Sequence, residues 1–299
     1  MDLTKDNITE LIKKIAIPAS VGTFFQTMYN LVDSKFAGLI SPEALTAIVK
    51  SFPIYLIIIA ASVGISAGTT ALISNTLGQK DTEKASVLFA QSIIVALLIT
   101  FVVTFIGIAS IKDILIILKS NNQIISYATD YMNVIFSGSI VIFLLVTINA
   151  SLVSRGDTKS YRNVLIFSFF LNILLNPLFI YGFYLIPAMG ISGIALATIV
   201  SELIGLIYLI YKINKTEIRE YLSPECFKPK IALISDILKQ AIPSGLSMGM
   251  VGFGVFILIY LVSSYGDFSA GGYGTGVRFE QLFLLPILGL NTATLSLVG

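Results

Sequence analysis

The sequence predicts an all-α integral membrane protein with about eight transmembrane helices. Three observations predict it. Of 299 residues, 56% are hydrophobic and only 12% charged, against about 25% charged in an ordinary soluble domain; mean hydropathy is +0.90. The apolar residues gather into eight runs, each reaching the roughly 17–25 residues that span a bilayer. The Lys and Arg residues concentrate in alternate connections between those runs, as loop charges do in multi-pass proteins.

The first run, 15–36, follows a polar, acidic start (MDLTKDNITE) that lacks the form of a signal peptide. The second, 52–76, carries Gly64, Ser66, Ala67 and Gly68, a small-residue patch on which another helix could pack closely. The stretch 77–84 (LGQKDTEK) reads as a turn and helix start ahead of the third run, 87–111. The fourth is 127–153. Arg155, Gly156, Asp157 and Lys159 then form a turn, either solvated or latching a gate, before the fifth run, 162–186. The sixth is 191–211. A polar stretch from Lys212 to Lys239 with Pro224 and Pro229 leads to the seventh, 237–265. The eighth, 279–299, opens on Arg278, Glu280 and Gln281, an interfacial cap. It reaches Leu297-Val298-Gly299 with no polar residue to end it, which predicts a fragment of a longer chain. Pro18, Pro53, Pro177, Pro243 and Pro286 lie inside runs and predict kinked helices, which membranes tolerate.

Of the 19 Lys and Arg residues, 14 fall at the N-terminus or in the second, fourth and sixth connections. This excess places the N-terminus in the cytoplasm of a plasma (inner) membrane protein. The polar stretch divides the chain into a six-helix lobe (1–212), a cytoplasmic linker (213–236) and the start of a second lobe (237–299). A shift of 225 residues lays Lys14-Ile15-Ala16-Ile17-Pro18 on Lys239-Gln240-Ala241-Ile242-Pro243, and Gly64, Thr69 and Leu72 on Gly289, Thr294 and Leu297. Two copies separated by six helices start on the same side, so the repeat is parallel, a pattern found in secondary transporters.

Several chemistries are excluded. With no histidine, histidine metal sites and Ser-His-Asp triads are absent. The single Cys226 cannot form a disulfide within the chain. No G-x-x-x-x-G-K-[ST] phosphate loop occurs, and a net charge of +2 gives no reason to expect nucleic acid.

What remains is a small set of polar residues inside apolar runs. Asp33 is foremost, because insertion scales put an acid at mid-membrane at roughly +2.5 to +3.5 kcal/mol, so an intramembrane carboxylate marks a functional site by default. Gln26, Asn30 and Asp33 are spaced to share one helix face. Asn172 and Asn176 stand one turn apart in the fifth run, and Pro177 leaves the carbonyl of Ile173 without its helical donor. Thr198 and Glu202 stand one turn apart in the sixth. Asp33, Asn172, Asn176 and Thr198, with a backbone carbonyl near Ile194, would make an oxygen-rich site for Na⁺; protonation of Asp33 is the other use of that acid. The amides and the hydroxyl are equally consistent with hydrogen bonding between helices, and Lys35 is the nearest cation for Asp33. Glu202 is either a second acid of the site or a structural one. Phe24, Phe25, Met28 and Tyr29, with Gln26 and Asn30, are candidates for lining a cavity, since adaptable apolar and aromatic walls suit varied ligands; helix packing is the competing use of the apolar ones.

These motifs, in this order, resemble multidrug and toxic compound extrusion (MATE) transporters. The resemblance is carried by Ile17-Pro18, Tyr29-Asn30-Leu31-Val32-Asp33, Phe52-Pro53, Ala71-Leu72-Ile73-Ser74 with Leu77-Gly78, Arg155-Gly156-Asp157-Thr158, Asn172 to Ile180, Gly193 to Thr198 and Arg278-Phe279-Glu280-Gln281. It implies two six-helix lobes, alternating access, and export of amphipathic, mostly cationic drugs driven by Na⁺ or H⁺, with no other cofactor. It also implies that Asp33 is the coupling residue, joined by Asn172, Asn176 and Thr198. Many such transporters have Asp where Asn176 stands, so one carboxylate fewer is expected here. The expected partners are the lipid bilayer and small amphipathic substrates, with the transporter a monomer. A flippase for lipid-linked oligosaccharides, of related architecture, would need a more cationic cavity. A membrane-embedded enzyme finds neither histidine nor a close carboxylate pair within a run.

Overall fold

A computed structural model describes the backbone of residues 8–280 together with Ile287, Leu290, Asn291, Ala293 and Thr294; the side chains of Arg278 and Phe279 fall outside that description. The described residues form nine α-helices: α1 (Ile8–Ile40), α2 (Pro42–Gly78), α3 (Thr82–Ile117), α4 (Asn122–Ser137), α5 (Ser139–Val153), α6 (Lys159–Tyr181), α7 (Ile191–Ile213), α8 (Ile231–Ser263) and α9 (Asp267–Glu280). Five of them (α2, α3, α6, α7 and α8) are long and apolar enough to cross a membrane, or six spans if the bent pair α4 and α5 is one. The polar stripe of Gln26, Asn30 and Asp33 keeps α1 out of that set. The expected eighth span, 279–299, lies mostly outside the described residues, as do Pro286, Gln281, the Arg278 side chain and the repeat partners Gly289 and Leu297.

The helix ends follow local chemistry. Ser41 caps α2 by accepting from Ala44 N, and Asp81 caps α3 through Lys84 N. The 77–84 stretch is therefore the expected turn and helix start. Pro18, Pro53, Pro177 and Pro243 all sit inside helices.

Four features differ from the sequence reading. The single run 127–153 is broken by a 48° bend between α4 and α5. There a Cβ on Gly138 would stand 2.6 Å from Ile199 Cδ1 of α7, so glycine is required by the close approach. The run 162–186 ends early, at Tyr181. Gly182, at φ +76°, turns the chain and Phe183 and Ile186 pair with each other. The glycine-rich stretch after Asp267 is helical, because it packs on α2: a Cβ on Gly274 would lie 2.3 Å from Val49 Cγ1.

The fourth difference is Lys50, which belongs to α2 and not to a loop. Its side chain is fully buried, donating to Leu118 O (2.9 Å), Lys119 O (3.4 Å) and Asp267 Oδ1 (2.6 Å). A buried cation is tolerated when it is paired and hydrogen-bonded in this way.

The small-residue patch on α2 is the bed for α8. A Cβ on Gly64 would be 2.5 Å from Ala241 O, and one on Gly68 would be 2.7 Å from Ile237 O. From the other side, a Cβ on Gly245 would meet Ala60 O at 3.1 Å. Such seams let membrane helices gain dispersion contact where no hydrophobic effect drives them together.

The polar stretch between α7 and α8 contains two 3₁₀ turns, Glu217–Arg219 and Pro224–Phe227, and is tied down. Buried Gln91 of α3 donates to Cys226 O (2.7 Å) and Lys228 O (2.9 Å) and accepts from Lys230 N (2.8 Å). Ser86 Oγ donates to Ile218 O at 3.0 Å. Cys226 is accordingly buried. The turn at 155–159 is also not simply solvated: Arg155 pairs with Glu217 and Asp157 caps Ser160.

Candidate cation and cargo site

The polar stripe of α1 faces inward, toward α6 and α7. Asp33 is 4% exposed, and its two oxygens are held from two helices. Asn176 Nδ2 of α6 donates to Asp33 Oδ1 at 2.9 Å and to Asn172 Oδ1 at 2.8 Å. Thr198 Oγ of α7 lies 3.1 Å from Asp33 Oδ2 and 3.1 Å from Ile194 O, and its one proton serves one of them at a time. Asn172 and Asn176 are fully buried and Thr198 is 5% exposed. The four residues expected to share a site therefore do meet, together with the carbonyl of Ile194. Lys35, expected as the nearest cation, is exposed.

The donor set fits a small cation in one specific respect. Asn176 Oδ1 is a buried acceptor with no hydrogen-bond partner among the described residues, and Asn172 Nδ2 is likewise unpaired. Buried polar atoms left unsatisfied are rare and call for an explanation. Asn176 presents Nδ2 to Asp33; with that amide turned over, its oxygen would join a carboxylate, a hydroxyl and a backbone carbonyl, the donor set a hard monovalent ion uses. Among the described residues no group of three or more Asp, Glu, His or Cys gathers for a transition metal.

Asp33 stands in the wall of a cavity of about 470 Å³, within the roughly 300–1,000 Å³ typical of small-molecule sites. Gln26, Tyr29, Asn30, Thr198 and Glu202 line it too. Glu202, one turn beyond Thr198, holds a buried Oε2 with no hydrogen-bond partner among the described residues. Phe24, Phe25 and Met28 are not among its lining residues. Phe25 instead packs edge-on against Phe24 and against Phe169 of α6, ring centroids 5.5 Å apart in each case. The helical period explains this, since 25 and 28 lie on a stripe rotated away from 26, 30 and 33.

The sequence reading missed Phe52 and Tyr55 of α2, Tyr131 of α4, Tyr161 of α6 and, from α8, Met248 and Val251, all of which line the cavity. A signal existed: tyrosines inside apolar runs carry a hydroxyl that needs a partner, and 48, 51, 52, 55 and 59 share one face of α2.

Comparison with known proteins adds the following. A family model described as MatE matches residues 18–178. A probable multidrug resistance protein, NorM, of Thermotoga maritima is 28% identical over 305 residues, covering 99% of this chain and 64% of the relative. Another, YpnP of Bacillus subtilis, is 29% identical over 302 residues, covering 100% and 66%. Among solved structures, a MOP superfamily transporter from Pyrococcus furiosus Vc1, for which reverse polarity of the binding pocket suggests a different function, superposes with a TM-score of 0.86 at 27% identity, covering 99% of this chain and 65% of that one. The chain thus spans about two thirds of the length of the proteins it matches.

Proposed function

Since the chain belongs to the MatE family and is a multi-pass membrane protein, we propose that it serves cation-coupled export of amphipathic, mostly cationic compounds by alternating access. The observation that carries this is Asp33, a buried acid bridged to Asn176 and Thr198 on the wall of a 470 Å³ cavity. A carboxylate shared between an ion site and a cargo cavity is a means of coupling, because filling one changes the charge and geometry offered to the other. The names of the NorM and YpnP relatives, both probable multidrug resistance proteins, support drug cargo.

In this reading Asp33, Asn176 Oδ1, Thr198 Oγ and the Ile194 carbonyl hold the coupling ion. The unpaired Asn176 oxygen favours Na⁺ over H⁺, since a proton needs one acceptor and a metal ion needs several. The transporter works as a monomer with eight or more spans, its N-terminus in the cytoplasm and its spans divided into a lobe at 1–212, a linker at 213–236 and a second lobe beginning at 237. Among the described residues the cavity lining contains Asp33 and Glu202 and no Lys or Arg, which supports cationic cargo and argues against a pyrophosphate-linked lipid.

Ethidium accumulation in everted membrane vesicles from cells producing the protein tests the reading. An imposed Na⁺ gradient should drive it, a pH gradient should drive it weakly, and Asp33→Asn should abolish it at unchanged protein level. Full accumulation by the Asp33→Asn variant would overturn the assignment, and drive by the pH gradient alone would replace Na⁺ by H⁺.

A further inference from the structure

The cavity contains two acids in different states of engagement. Asp33 Oδ1 accepts from Asn176, and Oδ2 stands within hydrogen-bond reach of Thr198 Oγ. Glu202 Oε2 is buried and accepts none among the described residues. Among the described residues the lining around Glu202 supplies no basic side chain to neutralise it. What the lining does supply is aromatic: Tyr29, Tyr55, Tyr131 and Tyr161 reach the same cavity from four different helices. Tyr29 is 8% exposed.

A lone carboxylate oxygen among aromatic faces is the chemistry that recognises an organic cation. The carboxylate provides charge, and the ring quadrupoles attract the cation's diffuse positive surface where a metal ion would need more oxygens. The donor set around Asp33 is the opposite, with amide, hydroxyl and carbonyl oxygens and no ring needed. We propose that Glu202 is the specificity-determining residue of the cavity, holding the positive group of an organic cargo against the tyrosine faces, while Asp33 of α1 serves the inorganic ion beside Thr198, which stands one helical turn from Glu202 on α7. This rests on the export reading and divides its two charges between two acids.

Tetraphenylphosphonium and tetraphenylborate are nearly the same shape and opposite in charge, so their ratio reports electrostatic selection and discounts fit. The test is their equilibrium binding to the protein in nanodiscs. Wild type should prefer the phosphonium. Glu202→Gln should weaken phosphonium binding roughly tenfold or more, the range of a desolvated cation contact, without weakening borate, and should keep any stabilisation of the protein by Na⁺. Asp33→Asn should lose the Na⁺ effect and keep the preference for phosphonium. If Glu202→Gln does not fold, Tyr55→Leu and Tyr55→Phe carry the test: Phe should retain the preference and Leu should reduce it. Unchanged phosphonium binding in Glu202→Gln, equal loss of both ions, or loss of the preference in Asp33→Asn instead would overturn this assignment and leave the export reading standing. Wild type binding no phosphonium, or preferring borate, would remove both.

Discussion

Lys50 Nζ lies 2.6 Å from Asp267 Oδ1, and the lysine is fully buried while the aspartate side chain is 24% exposed. That asymmetry decides what breaking the pair does. Asp267→Asn leaves a desolvated cation with neutral acceptors only, the Leu118 and Lys119 carbonyls and an amide oxygen, and no countercharge, so it should destabilise by about 3–5 kcal/mol. Lys50→Met leaves an acid that still reaches water and still accepts from Asn121 Nδ2 at 3.2 Å, so its effect should be smaller, about 1–2 kcal/mol after allowing for solvent screening. A double-mutant cycle in detergent, read by thermal unfolding, checks the order. Equal losses would mean that the burial asymmetry carries no energetic weight.

The gap between sequence and structure at this spot is physical. Lys50 falls outside the apolar run 52–76 because hydropathy treats a charge as the end of a span. It sits inside α2 because two carbonyls at the end of α3 and an acid opening α9, residues 68 to 217 positions away, converge on it. No local pattern shows such a partner. Asp33, Asn172, Asn176 and Thr198 were legible for the opposite reason: each is a polar residue isolated in an apolar run, and the one-turn spacing of 172 and 176 fixes their common face. Glu202 was legible as an anomaly, but the cavity around it was not, since its tyrosines come from four helices and each alone resembles interfacial or packing aromatics. The glycines after Asp267 fall between the runs 237–265 and 279–299, and their helix propensity is low. Contact with Val49 and Thr46 of α2 overrides that preference.

The seam between α2 and α8 makes a contrast within one residue type. Gly64→Ala forces a methyl to 2.5 Å from a backbone carbonyl of α8, which cannot swing aside as a side chain would. The variant should lose about 1–3 kcal/mol. Gly249→Ala, on α8, meets nothing within 4 Å and should be neutral or slightly stabilising, by up to about 1 kcal/mol. Unfolding temperatures of the two variants measured side by side test whether the close approach is real; a neutral Gly64→Ala would show that it is not.

Gln91 predicts how the stretch between α7 and α8 is held. It is fully buried and makes three hydrogen bonds to that segment. Gln91→Leu preserves bulk and removes all three, leaving the Lys230 amide and two carbonyls to find water. The local cost should be about 1–3 kcal/mol for each group left buried and unsatisfied. Limited proteolysis should then cut within 213–230 faster than in wild type. Cleavage rates that do not change would mean that the apolar contacts of Ile218 suffice to hold the segment.

Asn176 offers a test of how many charges the ion site tolerates. Its Nδ2 stands 2.9 Å from Asp33 Oδ1, so Asn176→Asp brings two carboxylate oxygens to hydrogen-bond distance. Two like charges that close cannot both ionise without large cost, and the pair would share a proton and titrate as a unit. The wild-type site lacks this second carboxylate and is the reference for the Na⁺ response at each pH. In the variant, Na⁺ must displace the shared proton. Its stabilising effect should therefore weaken at the acid end and recover at the alkaline end. Thermal unfolding across pH, with and without Na⁺, measures this directly. A variant whose Na⁺ response does not change with pH would mean that position 176 does not share the ion with Asp33.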